Sequence, residues 1–258
     1  MSSQSKIIVE ISETPKLRNP HLICGLPGSG YVGKIAVDYL IDELKGVQFA
    51  NIFSSSFPPQ VSIQDDGTID LMKNTLYYCK STPDDIILLT GDAQPVTPES
   101  EYAMAEEIIG ICEKLGVKNI YTLAAFITGT FSKNPKVYGT STSLQIVKEF
   151  TKQGIFTMNG GSITGMNGLV IGAGKTRGIT GVCLLGETSG YVVDAKASKA
   201  ILEILSKILG LKLDMTSLIK KAQETDQLIK TVEEQMGQRQ GTEQLPMPSQ
   251  DKKLGYIS

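Results

Sequence analysis

Residues Gly25 to Lys34, GLPGSGYVGK, join a strand-like run to a helical one, and this junction restricts the chain to few folds. Before it, His21-Leu22-Ile23-Cys24 is a short apolar run of strand type. After it, Ile35, Ala36, Tyr39, Leu40 and Leu44 recur at helical spacing. Strand, glycine turn and helix, in that order, aim backbone N–H groups and a helix N-terminus at an anion. Gly28, Gly30 and Gly33 match the G-x-G-x-x-G of dinucleotide sites, and Gly28, Gly33 and Lys34 match the start of a P-loop.

Both motifs are incomplete. A P-loop carries Ser or Thr after its lysine to ligate Mg²⁺, and here Ile35 stands there. A dinucleotide site uses a carboxylate about 20 residues on, at the end of the second strand. That strand, Val47 to Phe53, ends in Ser54-Ser55-Ser56-Phe57-Pro58-Pro59. Two readings follow. One is an anion site of Gly28, Gly30, Gly33 and Lys34, with Asp92 and Glu187 from neighbouring loops. The other is a tight turn whose glycines permit close packing. A second near match, Gly172-Ala173-Gly174-Lys175-Thr176, has Leu169 where the first P-loop glycine belongs. The strand-like Val182-Cys183-Leu184-Leu185 follows, so Lys175 to Gly178 is expected as a turn between strands.

Further along, strands are expected at Lys6 to Ile11, Val61 to Ile63 and Thr68 to Tyr78, with Asp65-Asp66-Gly67 as a hairpin turn. Asp85 to Thr90 reads as a buried parallel strand. Asn119 to Phe126, Gly168 to Gly172 and Thr180 to Gly186 complete the set of strands. Helices are expected at Tyr31 to Lys45, Glu99 to Leu115 closed by Gly116, Leu144 to Gln153 closed by Gly154, and Lys196 to Leu209 closed by Gly210. Alternating strands and helices specify an α/β fold with a mostly parallel sheet. Its loops after parallel strands would gather at one edge, the usual ligand edge. These are Gly28 to Gly33, Thr90 to Pro95, Thr128 to Gly139, Asn159 to Asn167 and Glu187 to Gly190. As turn or capping residues, Asp92 and Glu187 would have no ligand role.

Composition narrows the chemistry. The net charge of −2, with no basic run, gives no footprint for nucleic acid or an anionic membrane. No apolar stretch is long enough to span a bilayer, and Met1 to Lys6 lacks a signal-peptide core, so a cytoplasmic location is expected. Cys24, Cys79, Cys112 and Cys183 are scattered without metal or redox spacing. His21 is the only histidine, so a histidine-based triad would have to use it. No catalytic residue, metal or cofactor is assigned.

Past Leu213 the pattern changes. Asp214 caps a helix expected to run to Met236, with Leu218, Ala222, Thr225, Ile229, Val232 and Met236 spaced as a narrow a/d seam, which is either a short coiled-coil seam or a face packed on its own domain. From Gly237 the chain is rich in Gln, Gly and Pro and is expected to be disordered. It carries the apolar, aromatic segment Leu254-Gly255-Tyr256-Ile257-Ser258, which has the character of a docking peptide. The organisation is therefore residues 1–213 as an α/β core, 214–236 as an interaction helix and 237–258 as a tail.

Four segments together carry a family resemblance: GLPGSGYVGKIAVDYLI at Gly25 to Ile41, LLTGDAQP at Leu88 to Pro95, NGGSITGMNGLVIG at Asn159 to Gly172, and the run from Gly178 to Met215. In this order they resemble the proteasome assembly chaperone family of archaea. The resemblance implies a three-layer α/β/α fold like that of nucleoside phosphorylases, with no demonstrated catalytic set. It also implies homo-oligomerisation and binding to proteasome core-particle subunits. Some members carry a C-terminal hydrophobic–Tyr–any-residue motif that inserts between α-subunits. Here Tyr256 is third from the end and follows Gly255, so the strict motif is absent. Leu254, Tyr256 and Ile257 are the expected partner-binding residues. Family members have been labelled relatives of ATP-grasp enzymes, but the clustered lysines and Mg²⁺ carboxylates of that class are not evident in this sequence.

Overall fold

A computed structural model describes residues 6–224 and 227. The chain begins with strand β1 (Ile7–Ile11), β2 (His21–Cys24), helix α1 (Val32–Glu43) and β3 (Val47–Ser54). A small hairpin follows, β4 (Val61–Ile63) and β5 (Ile69–Leu71), then β6 (Asn74–Cys79), β7 (Ile86–Gly91), α2 (Pro98–Leu115) and β8 (Asn119–Ile127). The remaining elements are β9 (Val137–Ser141), α3 (Leu144–Glu149), β10 (Ile155–Thr157), α4 (Met166–Thr176), β11 (Thr180–Thr188) and α5 (Ala195–Leu209). Residues 216–224 are also helical.

Nine strands form one sheet in the order β1-β3-β6-β7-β2-β8-β11-β9-β10. The sheet is mixed, not mostly parallel as expected. β7, β2, β8 and β11 run parallel in its centre, and β9 with β10 form a parallel pair that meets β11 antiparallel. The flank of β1, β3, β6 and β7 is antiparallel throughout. The cause is the excursion after β3. It returns as β6 without a crossover helix, and only such a crossover delivers a parallel neighbour.

Alternate strand residues enter two cores. Leu22, Leu89, Ile120 and Cys183 pack with Met104 and Ile108 of α2 and Val170 of α4. Ile23, Leu88, Leu123 and Leu184 pack with Val37 and Leu40 of α1 and Ile201 and Leu205 of α5. Leu218 joins the second core, and Ala222, one turn on, is also buried. The later seam positions Thr225, Ile229, Val232 and Met236 lie outside the described residues.

Helix boundaries follow local chemistry. Pro98 opens α2, with Glu99 and Glu101 in its first turn complementing the helix dipole. Gly116, at φ 74°, adopts the left-handed conformation that closes it. Gly168 to Gly172, expected as a strand, lies inside α4, and Lys175 is in that helix's last turn. Lys175 to Gly178 therefore joins a helix to β11 rather than two strands. The expected strand Thr68 to Tyr78 is broken at Met72-Lys73 into β5 and β6. The helix expected to Gln153 is α3 followed by a 3₁₀ turn. β9 and β10 were not expected; β9 begins inside what reads as the Thr128 to Gly139 loop.

Asp85, buried before β7, ties the start of that strand to the β1–β2 connection. It accepts from Arg18 N (2.7 Å), Ser81 N (3.1 Å) and Lys80 Nζ (3.1 Å). Burial pushes its carboxyl up, but these three donors outweigh burial and hold it below the usual aspartate range. A depressed folded pKa contributes stability above the unfolded value, near 3.9, and that stability fades as pH falls through the folded pKa. Asp85→Asn should therefore flatten the stability loss below about pH 4 in acid titrations followed by urea unfolding.

Candidate functional site

The loops leaving β2, β7, β8 and β11 meet at the carboxyl edge of the parallel strands, as the sequence implies. The Gly28 turn is held from two sides. Asp194 N donates to Gly30 O at 2.8 Å, and Gln94 Nε2 donates to Pro27 O at 2.7 Å. The other end of the Gln94 amide accepts from Met166 N at 3.0 Å, at the N-terminus of α4. Gln94 thus bridges the β2 loop to α4 across the crevice where an α/β fold usually admits its ligand.

Asp194 organises the far side. Its Oδ1 accepts from Lys196 N and Ala197 N and caps α5, and its Oδ2 accepts from Thr188 Oγ at 2.7 Å. One turn on, Ser198 Oγ donates to Val32 O at 2.9 Å, fixing the start of α1 against α5. Gly30 sits at φ 61° and Tyr31 at φ 53°, so two successive left-handed residues turn the chain into α1.

Gly25 and Gly33, at the two ends of this turn, serve packing. A Cβ on Gly33 would lie 2.0 Å from Leu123 O of β8, and one on Gly25 would lie 2.1 Å from Gly33 O. The first turn of α1 therefore rides directly on sheet backbone. Lys34 is held by a carboxylate and a hydroxyl: its Nζ lies 2.9 Å from Asp38 Oδ2 and 3.4 Å from Thr90 Oγ, which itself donates to Asp38. Asp92 accepts from Lys73 N at 3.0 Å, and Glu187 accepts from Lys136 N at 3.0 Å, so each carboxylate braces a neighbouring strand. β7 and β11 stand three ladders apart, roughly 14 Å at usual strand spacing, so Asp92 and Glu187 do not converge.

Other candidate chemistry is dispersed. His21 lies at the opposite edge, between Asn119 and Asp84. Burial pushes the thiols up, Cys79 to about 11 and Cys112 and Cys183 to about 12, and Cys24 higher still. None of them is a thiolate at neutral pH. Among the described residues no group of three His, Cys, Asp or Glu could hold a metal. No described helix is long and apolar enough to cross a membrane.

What the edge does offer is apolar surface. Tyr31, Val96, Tyr191 and Val193 are exposed on its loops, together with the aliphatic side chains of the β4–β5 hairpin. The helix at residues 216–224 runs toward this edge. It starts beside the end of α1, where Asp214 N meets Glu43 and the Tyr39 hydroxyl donates to Asp214 O. By Lys221 and Glu224 it flanks a cavity of about 400 Å³ shared with Ile35 and Asp38, near the start of α1. Leu254, Tyr256 and Ile257 lie outside the described residues. Sequence reasoning passed over Gln94, Thr188 and Ser198. Each is an isolated polar residue whose partner is more than 60 positions away or across a turn, and no spacing pattern marks it.

The class defined by these features is an α/β protein whose loops after the parallel strands are bridged by Gln94 and carry exposed apolar side chains. The PAC2 family model matches residues 22–233, and the chain belongs to that family. It is similar, at 37% identity over 98% of both chains, to the uncharacterized protein MJ1210 of Methanocaldococcus jannaschii. Among solved structures, it resembles Pyrococcus furiosus PbaB, an archaeal proteasome activator. The identity is 37% and the TM-score 0.82, over 88% of this chain and 98% of that one. It also resembles Pyrococcus furiosus PbaA, an archaeal homolog of proteasome-assembly chaperone, at 29% identity and TM-score 0.73, over 90% and 94% of the two chains. Neither the family match nor these structures supports an ATP-grasp relationship.

Proposed function

We propose that this protein is a non-enzymatic, homo-oligomeric, chaperone-like factor of the cytoplasm that binds proteasome core-particle α-subunits, or a related chaperone, during assembly. The observation that carries this reading is the similarity to PbaB along nearly its whole length. The two cores on opposite faces of the sheet support a three-layer α/β/α body of phosphorylase type, formed by residues 1–213. Residues 214–236 act as an interaction helix. Residues 237–258 act as a tether that brings Leu254, Tyr256 and Ile257 to a pocket between α-subunits. The alternative is a nucleotide- or phosphate-binding enzyme, a ligase or phosphorylase relative, using the Gly28–Lys34 loop; the Lys34–Asp38 ion pair and the Gln94 bridge between the β2 loop and α4 favour the chaperone reading.

Deleting Leu254 to Ser258 should lower capture of purified α-rings in a pull-down at least tenfold, about 1.4 kcal/mol. Unchanged capture would remove the tail from the mechanism.

A further inference from the structure

Two glycine-rich stretches with no part in the Gly28 turn meet elsewhere in the fold. One is the run after β10, and the other is the end of α4, Gly172 to Lys175. Met158 N donates to Gly139 O at 2.9 Å, which sets the run after β10 beside β9. Together with the end of β9, the two stretches line a cavity of about 480 Å³, a volume usual for a small-molecule site. Three glycines lie inside α4, and packing accounts for two of them. A Cβ on Gly168 would lie 2.3 Å from Ile163 O, and one on Gly174 would lie 2.7 Å from Ile120 Cδ1. A Cβ on Gly172 would meet nothing within 4 Å. A glycine inside a helix weakens it relative to alanine, so Gly172 carries a cost that packing does not explain. What it does is keep the cavity wall low, three residues before Lys175.

The lining is rich in hydrogen-bond donors and contains no carboxylate. Lys175 makes no ion pair among the described residues, whereas Arg177, two positions on, is taken by Glu106 and Glu113. Ser141 and Thr142 are engaged with β11: Ser141 Oγ donates to Gly181 O at 2.8 Å, and Thr142 Oγ accepts from Gly181 N at 2.9 Å. The hydroxyls of Thr140 and Ser162 bond to no described residue, and neither do the N–H groups of Gly160, Gly161 and Ser162. Met158, Leu169 and Ile171 supply an apolar wall. The cavity therefore offers one unpaired cation, several uncommitted donors and an apolar surface.

We propose that this cavity binds a small phosphorylated sugar. Its phosphate is held by Lys175 and the N–H groups of Gly160 to Ser162, and its hydroxyls meet Thr140. A phosphate group suits this lining because its oxygens only accept and carry charge, so a cation and several donors bind it and no carboxylate repels it. A sugar suits the remainder because it presents hydroxyls at its rim and C–H groups on its faces, against Met158 and Leu169. Lys175 precedes the start of β11, so the cavity lies toward the edge of the sheet opposite the Gly28 turn. The proposal is independent of the proteasome reading, and neither falls with the other.

Isothermal titration calorimetry on the full chain tests it, with ribose 5-phosphate and glucose 6-phosphate as probes. At least one should bind with a dissociation constant below about 1 mM. Ribose and glucose, which lack the phosphate, and gluconate, which carries a carboxylate instead, should each bind at least tenfold more weakly. Lys175→Gln should weaken binding of the phosphorylated probe at least tenfold. Gly172→Leu should abolish it, because the new side chain enters the cavity. The thermal midpoint of that variant should hold or rise, since leucine favours the helix and meets no neighbour at its Cβ. Failure of both phosphorylated probes to bind would overturn the proposal. So would equal binding of the sugars or gluconate, affinity that survives either substitution, or a fall in midpoint for Gly172→Leu.

Discussion

Gly33→Ala should lower the thermal midpoint by roughly 6–12 °C, and Gly28→Ala, in the same turn, should change it by no more than about 2 °C. The added Cβ at Gly33 meets the carbonyl oxygen of Leu123 at 2.0 Å. β8, which carries Leu123, is paired on both sides, to β2 and β11, so it cannot yield. Relief must come from lifting α1, which loosens Val37 and Leu40 from their core. Overpacking of this kind costs about 3 kcal/mol. At Gly28 the backbone is fully extended, and a Cβ would find only Gln94 Nε2, 4.0 Å away. Differential scanning calorimetry reads both variants, and the opposite ranking would contradict a packing role for this turn.

The second large effect is expected at Asp194. Alanine there removes the cap of α5, worth about 1 kcal/mol, and leaves the Thr188 hydroxyl without its buried acceptor, about 1–3 kcal/mol more. The total of roughly 2–4 kcal/mol should appear as a fall in midpoint of about 5–15 °C. Asp194→Asn keeps a capping oxygen and should lose about half as much. Because Asp194 N holds Gly30 O, amide exchange should quicken in residues 28–32 as well as at the start of α5. Faster exchange confined to α5 would mean that the two loops are independent.

Much of the body is legible in the residues. The β2–turn–α1 unit, the buried β7, the stops at Gly116 and Gly210 and the apolar stripe of α5 all follow from periodicity and glycine placement. α4 does not, because Gly168, Gly172 and Gly174 lower its helix propensity and leave Leu169, Val170 and Ile171 looking like a strand. Packing decides it: the Cβ of an alanine at Gly174 would meet Ile120 at 2.7 Å, so the small residues let α4 lie close to the sheet. β9 and β10 are short, and pairing rather than local pattern specifies them. The mixed sheet was hidden for a similar reason, since strand direction depends on how β3 returns to β6. At the candidate site the glycines and Asp92 were visible, whereas the clamp made by Gln94 and the Thr188–Asp194–Ser198 links join residues that only the fold brings together.

Direct binding of the full chain to proteasome α-subunits is the decisive measurement, made by native mass spectrometry on purified components. A complex of defined stoichiometry, unaffected by added ATP or nucleosides, is the result expected. Absence of any complex at micromolar concentrations, with a nucleotide bound in its place, would contradict the chaperone reading.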